Sequence, residues 1–224
     1  MAALLLIPIL LLVGLVAYLT YYFKQKRIKA LATLAQQLRL QFARADPFGT
    51  LSQPFQLFRK GDGRGVENVL WGTWQTLEVR QFDFWYYDES TDSKGNTSRT
   101  YHRFNCVMCP ILASCADLTI DHENMWTRLA DALSFHDIEF ESEEFNKRYQ
   151  VKCTNEKFAN DFIDARMIEW LLKNGTGYSF EVSGDEMLVV HKRLRPTELM
   201  PLLQAAEGFA QAVPRVVFDL YPKG

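Results

Sequence analysis

Hydrophobic positions divide the chain into an unbroken apolar start and a longer part in which apolar and polar residues are mixed. Residues 2–23 contain no charged side chain. A helix rises about 1.5 Å per residue, so this length matches the roughly 30 Å hydrocarbon core of a bilayer. Tyr18, Tyr21 and Tyr22 lie at its end, where amphipathic rings favour lipid headgroups. The pattern predicts a transmembrane anchor over residues 1–23.

Four basic side chains follow the apolar segment at once: Lys24, Lys26, Arg27 and Lys29. The positive-inside rule then places the N-terminus outside and the rest of the chain in the cytoplasm. A cleaved signal peptide is the alternative, and it would need a basic region before the apolar run and small residues at a cleavage site after it. Neither is present. We therefore expect a single-pass signal-anchor protein.

A basic amphipathic helix is predicted over residues 24–46. Ile28, Leu31 and Leu38 recur at helical spacing, and the proline after Asp46 would end the helix. Residues 24–60 carry eight basic side chains and one acidic side chain. Such a segment fits anionic lipid headgroups, and an ordinary surface helix with a topology signal fits equally well.

The pattern changes to strands at residue 55. Aromatic and β-branched residues alternate with turn clusters up to residue 110, which predicts an antiparallel sheet of about four strands. Residues 77–87 do not alternate cleanly, so this strand is expected to be covered on both faces. Residues 88–99 form a polar loop.

The second half mixes helices and strands. We predict helices over residues 125–133, 156–173 and 196–212, and a hairpin between 178 and 191. The predicted fold class is α+β: a transmembrane helix followed by an antiparallel sheet with two or three packed helices. The cytoplasmic domain would span 47–216, with a tail at 217–224.

Composition and charge exclude several classes of protein. The chain is 48% hydrophobic and 23% charged, which excludes intrinsic disorder. Its net charge of −2 carries no basic signature for nucleic acid, so no nucleic-acid partner is expected. Four cysteines in a chain of this length fit free thiols in a reducing compartment better than a disulfide framework.

Two motifs resemble ligand-binding motifs, but the sequence favours a purely structural role for both. Gly61, Gly63 and Gly65 alternate, but a phosphate loop needs a following helix, and here a strand follows. We interpret them as a hairpin turn. Cys106 and Cys109 lie three apart in an apolar strand, where their side chains point to opposite faces, so core packing is favoured over a zinc or redox site. No cofactor or metal is expected.

A pairing of cysteine and histidine in space is the alternative that would make the protein an enzyme. The four histidines follow no metal-ligand spacing. A hydrolase or redox enzyme would need a thiol with a lowered pKa beside an imidazole. The candidates for such a pair are Cys106, Cys109, Cys153, His102 and His191.

Four stretches of sequence carry a family resemblance. They are Phe55-x-Leu-Phe58…Gly61…Val69-Leu-x-Gly72, Phe82-Asp83-x-x-Tyr86, Phe140-Glu141-x-x-x-Phe145-Asn-x-x-Tyr149-x-Val151 and Ala159-x-x-Phe162-Ile163-x-x-x-Met167. Over about residues 28–212 the chain resembles widespread uncharacterised bacterial proteins with membrane spans and a cytoplasmic domain of unknown function. The resemblance implies a bacterial inner (plasma) membrane location and carries over no active-site residue.

These observations predict a non-catalytic interaction or scaffold module. Its expected partners are the lipid bilayer and a protein, either another protein or a second copy of the chain. The polar loop at 88–99 and the basic segment at 24–44 are the surfaces on which we expect the contact. The hydrolase or redox enzyme with a Cys/His pair is the alternative.

Overall fold

One antiparallel sheet of seven strands organises the computed structural model, which describes residues 2–122 and 136–223. The strands are β1 (Gln41–Ala45), β2 (Gly63–Trp74), β3 (Leu77–Thr91), β4 (Thr97–His122), β5 (His136–Ile138), β6 (Tyr149–Cys153) and β7 (Ser179–Lys192). The helices are α1 (Ala2–Leu38), α2 (Glu143–Arg148), α3 (Glu156–Phe162), α4 (Ala165–Asn174), α5 (Met200–Ala212) and α6 (Arg215–Leu220). The fold is α+β.

Strand β4 is the centre of the sheet. The order is β1-β2-β3-β4-β6-β5, and β7 also pairs with β4. Residues 97–108 of β4 pair with β3, and residues 118–122 pair with β6 along the same edge. Residues 104–120 pair with β7 on the opposite edge. All three neighbouring strands therefore take their register from β4.

The two faces of the sheet are covered by different segments. The helices pack on one face around a large cluster that includes Leu31, Phe162 and Phe209. On the other face a short 3-10 helix, Gln56–Arg59, covers a smaller cluster with Phe82 and Phe84. Burial on both sides explains why residues 77–87 show no clean alternation.

The N-terminal helix corrects the prediction of a transmembrane anchor. Helix α1 continues from the apolar segment through the charged residues, and it packs on the sheet at Leu31 and Ala35. In the part of the chain that the structure describes, no helix has both the length and the hydropathy needed to cross a bilayer. The predicted transmembrane helix, the single-pass signal-anchor topology and the inner-membrane location with a cytoplasmic domain are therefore wrong.

Helix α1 also ends earlier than the amphipathic pattern predicts. It stops at Leu38, and Arg39 follows with a φ of 59°, in the left-handed region. The Leu40 amide then donates to the Ala35 carbonyl oxygen at 2.8 Å. Residues 41–45, which the pattern assigned to the helix, pair with β2 instead. The hydrogen bonds of a sheet edge outweigh the helical periodicity there.

Three further local predictions differ from the structure. The helix predicted over 156–173 is broken at Ile163, because Asp164 caps the start of α4 through its side chain. The hairpin predicted across Gly184 is one strand, β7, which follows β4 through two register shifts. Residues 56–59 form a 3-10 helix rather than a strand. The predicted helix 125–133 lies outside the described residues.

Candidate functional site

The cysteine and histidine candidates occupy separate environments. Cys106 packs in the small cluster on one face, and Cys109 in the large cluster on the other. The Cys153 thiol donates to the Asn155 carbonyl oxygen at 3.1 Å. His102 Nε2 lies 3.1 Å from Asp88 Oδ2, and His191 Nδ1 lies 2.6 Å from the Lys192 carbonyl oxygen. Within residues 2–122 and 136–223, no hydrogen bond joins a cysteine to a histidine, and no acidic, histidine or cysteine cluster could hold a metal ion.

All four cysteines are buried free thiols. Burial raises the pKa of the Cys106 thiol well above its usual range, and the charges of Glu181 and Asp83 raise it further. Burial likewise raises the pKa of Cys109 and Cys153, and it raises the pKa of Cys115 to about 12. A raised pKa removes the thiolate, which is the nucleophilic form.

We therefore expect the folded protein to react with a water-soluble disulfide reagent at least about a hundredfold more slowly than free cysteine. Denaturation should release four titratable thiols. The measurement is the absorbance of the released thiolate with and without denaturant. One fast-reacting thiol in the folded chain would instead favour the enzyme.

Two buried carboxyl groups lie on the face covered by the 3-10 helix. The Glu181 carboxylate accepts hydrogen bonds from the Gln56 and Leu57 amides at 2.6 and 3.0 Å. Burial raises the pKa of Glu181 to about 7, and the charge of Asp121 adds to this. Burial also raises the pKa of Asp121 to about 7, although a hydrogen bond with Ser179 acts to lower this pKa. Asp121 Oδ1 has no hydrogen-bond partner within the described part of the chain.

These two groups should make the fold more stable in mild acid. Since their folded-state pKa values are raised, their stabilising contribution is full below about pH 4 and is lost as the pH rises through about 7. Between about pH 5 and about pH 8 each group costs about 3 kcal/mol. We expect Asp121→Asn to remove about half of this loss in urea unfolding, whereas the exposed Asp219→Asn should leave it unchanged. Equal pH profiles for the two variants would contradict the assignment.

The basic residues after the apolar segment do not form one uniform surface. Lys24 reaches Glu67, with Nζ and Oε2 3.1 Å apart. Arg27 is largely buried, and its side chain binds Asp83. Lys26 and Lys29 are exposed. Half of the predicted membrane-flanking set therefore ties α1 to the sheet.

The β3–β4 hairpin carries an aromatic surface that the sequence pattern did not reveal. Residues 88–99, predicted as a polar loop, are the paired strand ends and the tight turn of this hairpin. Below the turn, Trp85, Tyr87 and Tyr101 share one face, which we name the aromatic platform. Their ring centroids are 5.4 to 6.2 Å apart. Tyr101 is 48% exposed.

Two glycines of β2 make room for the platform. Gly63 pairs with Tyr87 and Gly65 pairs with Trp85 across the strands. A Cβ atom at Gly63 would lie 2.5 Å from the Tyr87 ring, and one at Gly65 would lie 2.6 Å from the Trp85 ring. The rings therefore lie over the backbone of β2. The alternating glycines, interpreted above as a turn, are the sequence signal that could have revealed the platform.

Arginines surround these rings. The Arg99 guanidinium lies 4.6 Å from the centre of the Tyr87 ring, and Arg103 lies 5.6 Å from that of Tyr101. Arg99 is paired with Glu89, with Nε and Oε1 2.6 Å apart. Neither Arg103 nor Arg193 takes part in an ion pair within residues 2–122 and 136–223.

Helix α1 lies on the same face of the sheet as the platform. Side chains two apart on a strand share a face, so Asp83, which binds Arg27 of α1, and Trp85 are on one side. Leu40 packs beside Gly72 at one end of β2, and Lys24 reaches Glu67 farther along it. The N-terminal end of α1 therefore points towards the hairpin end of the sheet, and its C-terminal end lies beside Gly72. Residues 11–23 continue in that direction, with large apolar side chains 40–69% exposed.

The comparisons with known proteins identify a shared fold. No family model and no curated protein matches the chain. Among solved structures, it is similar to the crystal structure of the mycobacterial trehalose monomycolate transport factor A, TtfA, with a TM-score of 0.63 and 11% sequence identity. The match covers 88% of this chain and 97% of that chain. At this identity the likeness shows that the two proteins have the same fold.

Proposed function

We propose that this protein is a non-catalytic accessory factor in lipid transport, which holds lipid against the bare apolar part of α1. The observation that carries the proposal is the exposure of that surface. Leu11, Leu12 and Val16 are 69%, 61% and 56% exposed. Exposed apolar surface of this extent marks an interaction site in a folded protein. Side chains of this kind favour hydrocarbon over water by about 1.5–3 kcal/mol each when fully buried.

The fold supports the same function. TtfA, whose fold this chain shares, is named as a transport factor for trehalose monomycolate, a glycolipid. Buried thiols whose pKa is raised make poor nucleophiles, which favours binding over catalysis. A protein partner or a second copy of the chain could also cover an apolar helix, and the experiment must separate these occupants from lipid.

The test is flotation of the purified protein with phosphatidylcholine vesicles. The triple variant Leu12→Gln, Val16→Gln and Leu19→Gln places polar groups along one stripe of the helix. If each apolar side chain enters the hydrocarbon only in part and contributes about 1 kcal/mol, binding should fall more than about a hundredfold. The matched control, Leu112→Gln, Val216→Gln and Leu220→Gln, alters equally exposed apolar residues elsewhere and should bind as the unchanged protein does.

Two results would contradict the proposal. One is equal binding of both triple variants. The other is a protein that does not bind vesicles and sediments as a dimer, which only the α1 variant converts to a monomer. In that case a second copy, not lipid, covers the helix.

A further inference from the structure

The hairpin end of the sheet combines the three rings of the aromatic platform with two arginines, Arg103 and Arg193, that form no ion pair within the described residues. Arg103 lies next to the platform, because it pairs with Trp85 across the strands and its guanidinium lies over the Tyr101 ring. Arg193 is adjacent, since its amide donates to the Arg103 carbonyl oxygen at 3.1 Å. Both residues are exposed at the surface, and the guanidinium group of Arg193 is partly desolvated there. Among the described residues, none of the three rings belongs to either core cluster.

The electrostatics of this cluster favour an anion. Burial lowers the pKa of the Arg193 guanidinium, and the positive charges of Arg27 and Arg103 lower it further. The only carboxylates of the described chain that oppose this effect are Asp83 and Glu67, and both already bind a cation, Arg27 and Lys24 respectively. A phosphate group would relieve the repulsion between neighbouring guanidinium groups, and arginine donates to phosphate through two parallel N–H groups.

The rings and the helix narrow the class of anion. Tryptophan and tyrosine favour the headgroup region of lipid, where one side of the ring is apolar and the other is wet. The apolar residues 11–23 extend along the same face towards this end of the sheet. Stacked aromatic rings with arginine also suit single-stranded nucleic acid, but that ligand leaves the apolar helix without a role.

We propose that the aromatic platform, with Arg103 and Arg193, binds the phosphate headgroups of an anionic lipid surface. The inference rests on the proposed function, because it assigns the headgroup to the hairpin and the acyl chains to α1. The hairpin would select the charge of the lipid, and the helix would supply affinity that does not depend on charge.

The experiment compares flotation with vesicles of phosphatidylcholine alone and with vesicles in which about a third of the lipid is phosphatidylglycerol. One basic residue near an anionic leaflet contributes about fivefold to binding, so Arg103→Gln with Arg193→Gln should weaken binding to the anionic vesicles roughly thirtyfold. Binding to neutral vesicles should not change. The control, Lys173→Gln with Arg215→Gln, removes the same charge from exposed positions on α4 and α6.

Tyr101→Ser provides a second variant that does not alter charge. Its ring is exposed, so the fold should tolerate the change, while the preference for anionic vesicles should fall severalfold. Retention of that preference in both platform variants, or an equal loss in the control pair, would overturn the inference. The inference would also be overturned if a single-stranded oligonucleotide displaced the protein from the vesicles at a concentration below that of the anionic lipid. If the protein bound neither neutral nor anionic vesicles, this result would instead contradict the proposed function itself.

Discussion

Replacing Arg27 with methionine is expected to lower the free energy of unfolding by about 3–5 kcal/mol. Arg27 forms a two-pronged ion pair with Asp83, with Nε–Oδ2 and Nη2–Oδ1 distances of 2.7 Å. The two side chains are only 9% and 8% exposed. Arg27 also donates to the Leu194 carbonyl oxygen at 2.7 Å. Methionine fills similar space but leaves the Asp83 carboxylate buried without a positive partner.

The double variant Arg27→Met with Asp83→Asn separates charge from packing. Asn68 and Asn105 donate to the two oxygens of the Asp83 carboxylate at 2.9 and 2.6 Å, and the single carbonyl oxygen of an asparagine at position 83 could still accept from one of them. Since no unpaired charge remains, the double variant should recover much of the lost stability. Urea unfolding followed by circular dichroism measures both. A loss below about 1 kcal/mol in Arg27→Met would show that the pair does not hold α1 to the sheet.

The second large effect is expected at the centre of the helical face. Phe209→Ala should cost about 3–5 kcal/mol, because a fully buried ring leaves a cavity that rigid neighbours cannot fill. The Phe209 ring stacks on Phe180 with centroids 4.4 Å apart, and it also contacts Phe162 and Trp170 at about 6 Å. These rings join α3, α4, α5 and β7.

The same substitution at an exposed ring is the control. Phe48 is 41% exposed, so Phe48→Ala should cost no more than about 1 kcal/mol. Thermal unfolding at one fixed pH compares the two variants. If they lose equal stability, α5 does not anchor the helical layer and the cluster contributes less than its burial suggests.

Sequence reasoning predicted what depends on short-range patterns. Aromatic and β-branched runs identified the sheet, and the missing alternation in β3 predicted burial on both faces. It could not assign Arg27, because the partner that buries this side chain lies 56 positions later, at Asp83. From the sequence alone, Arg27 was one of four flanking charges. Its role depends on a distant contact.

Turn residues had a similar ambiguity. Glycine and aspartate near residue 184 are typical of a hairpin, but here they lie inside the continuous strand β7, which pairs along the edge of β4. The extra residues of both register shifts lie in β4, between Pro110 and Leu118. The glycines at 63 and 65 serve as space for rings contributed by the neighbouring strand. The platform was missed because its residues are separated by the hairpin turn and only the register of β3 with β4 joins them.

The central position of β4 has a consequence for how the chain folds. Its partners in β7 lie some 60 to 90 positions later in sequence, so one edge stays open until almost the whole polypeptide has left the ribosome. Contacts between such distant positions form slowly, and an open strand edge invites pairing with other chains. A nascent chain stalled before residue 179 would therefore leave residues 104–120 of β4 without their β7 partners, and such an open edge favours aggregation.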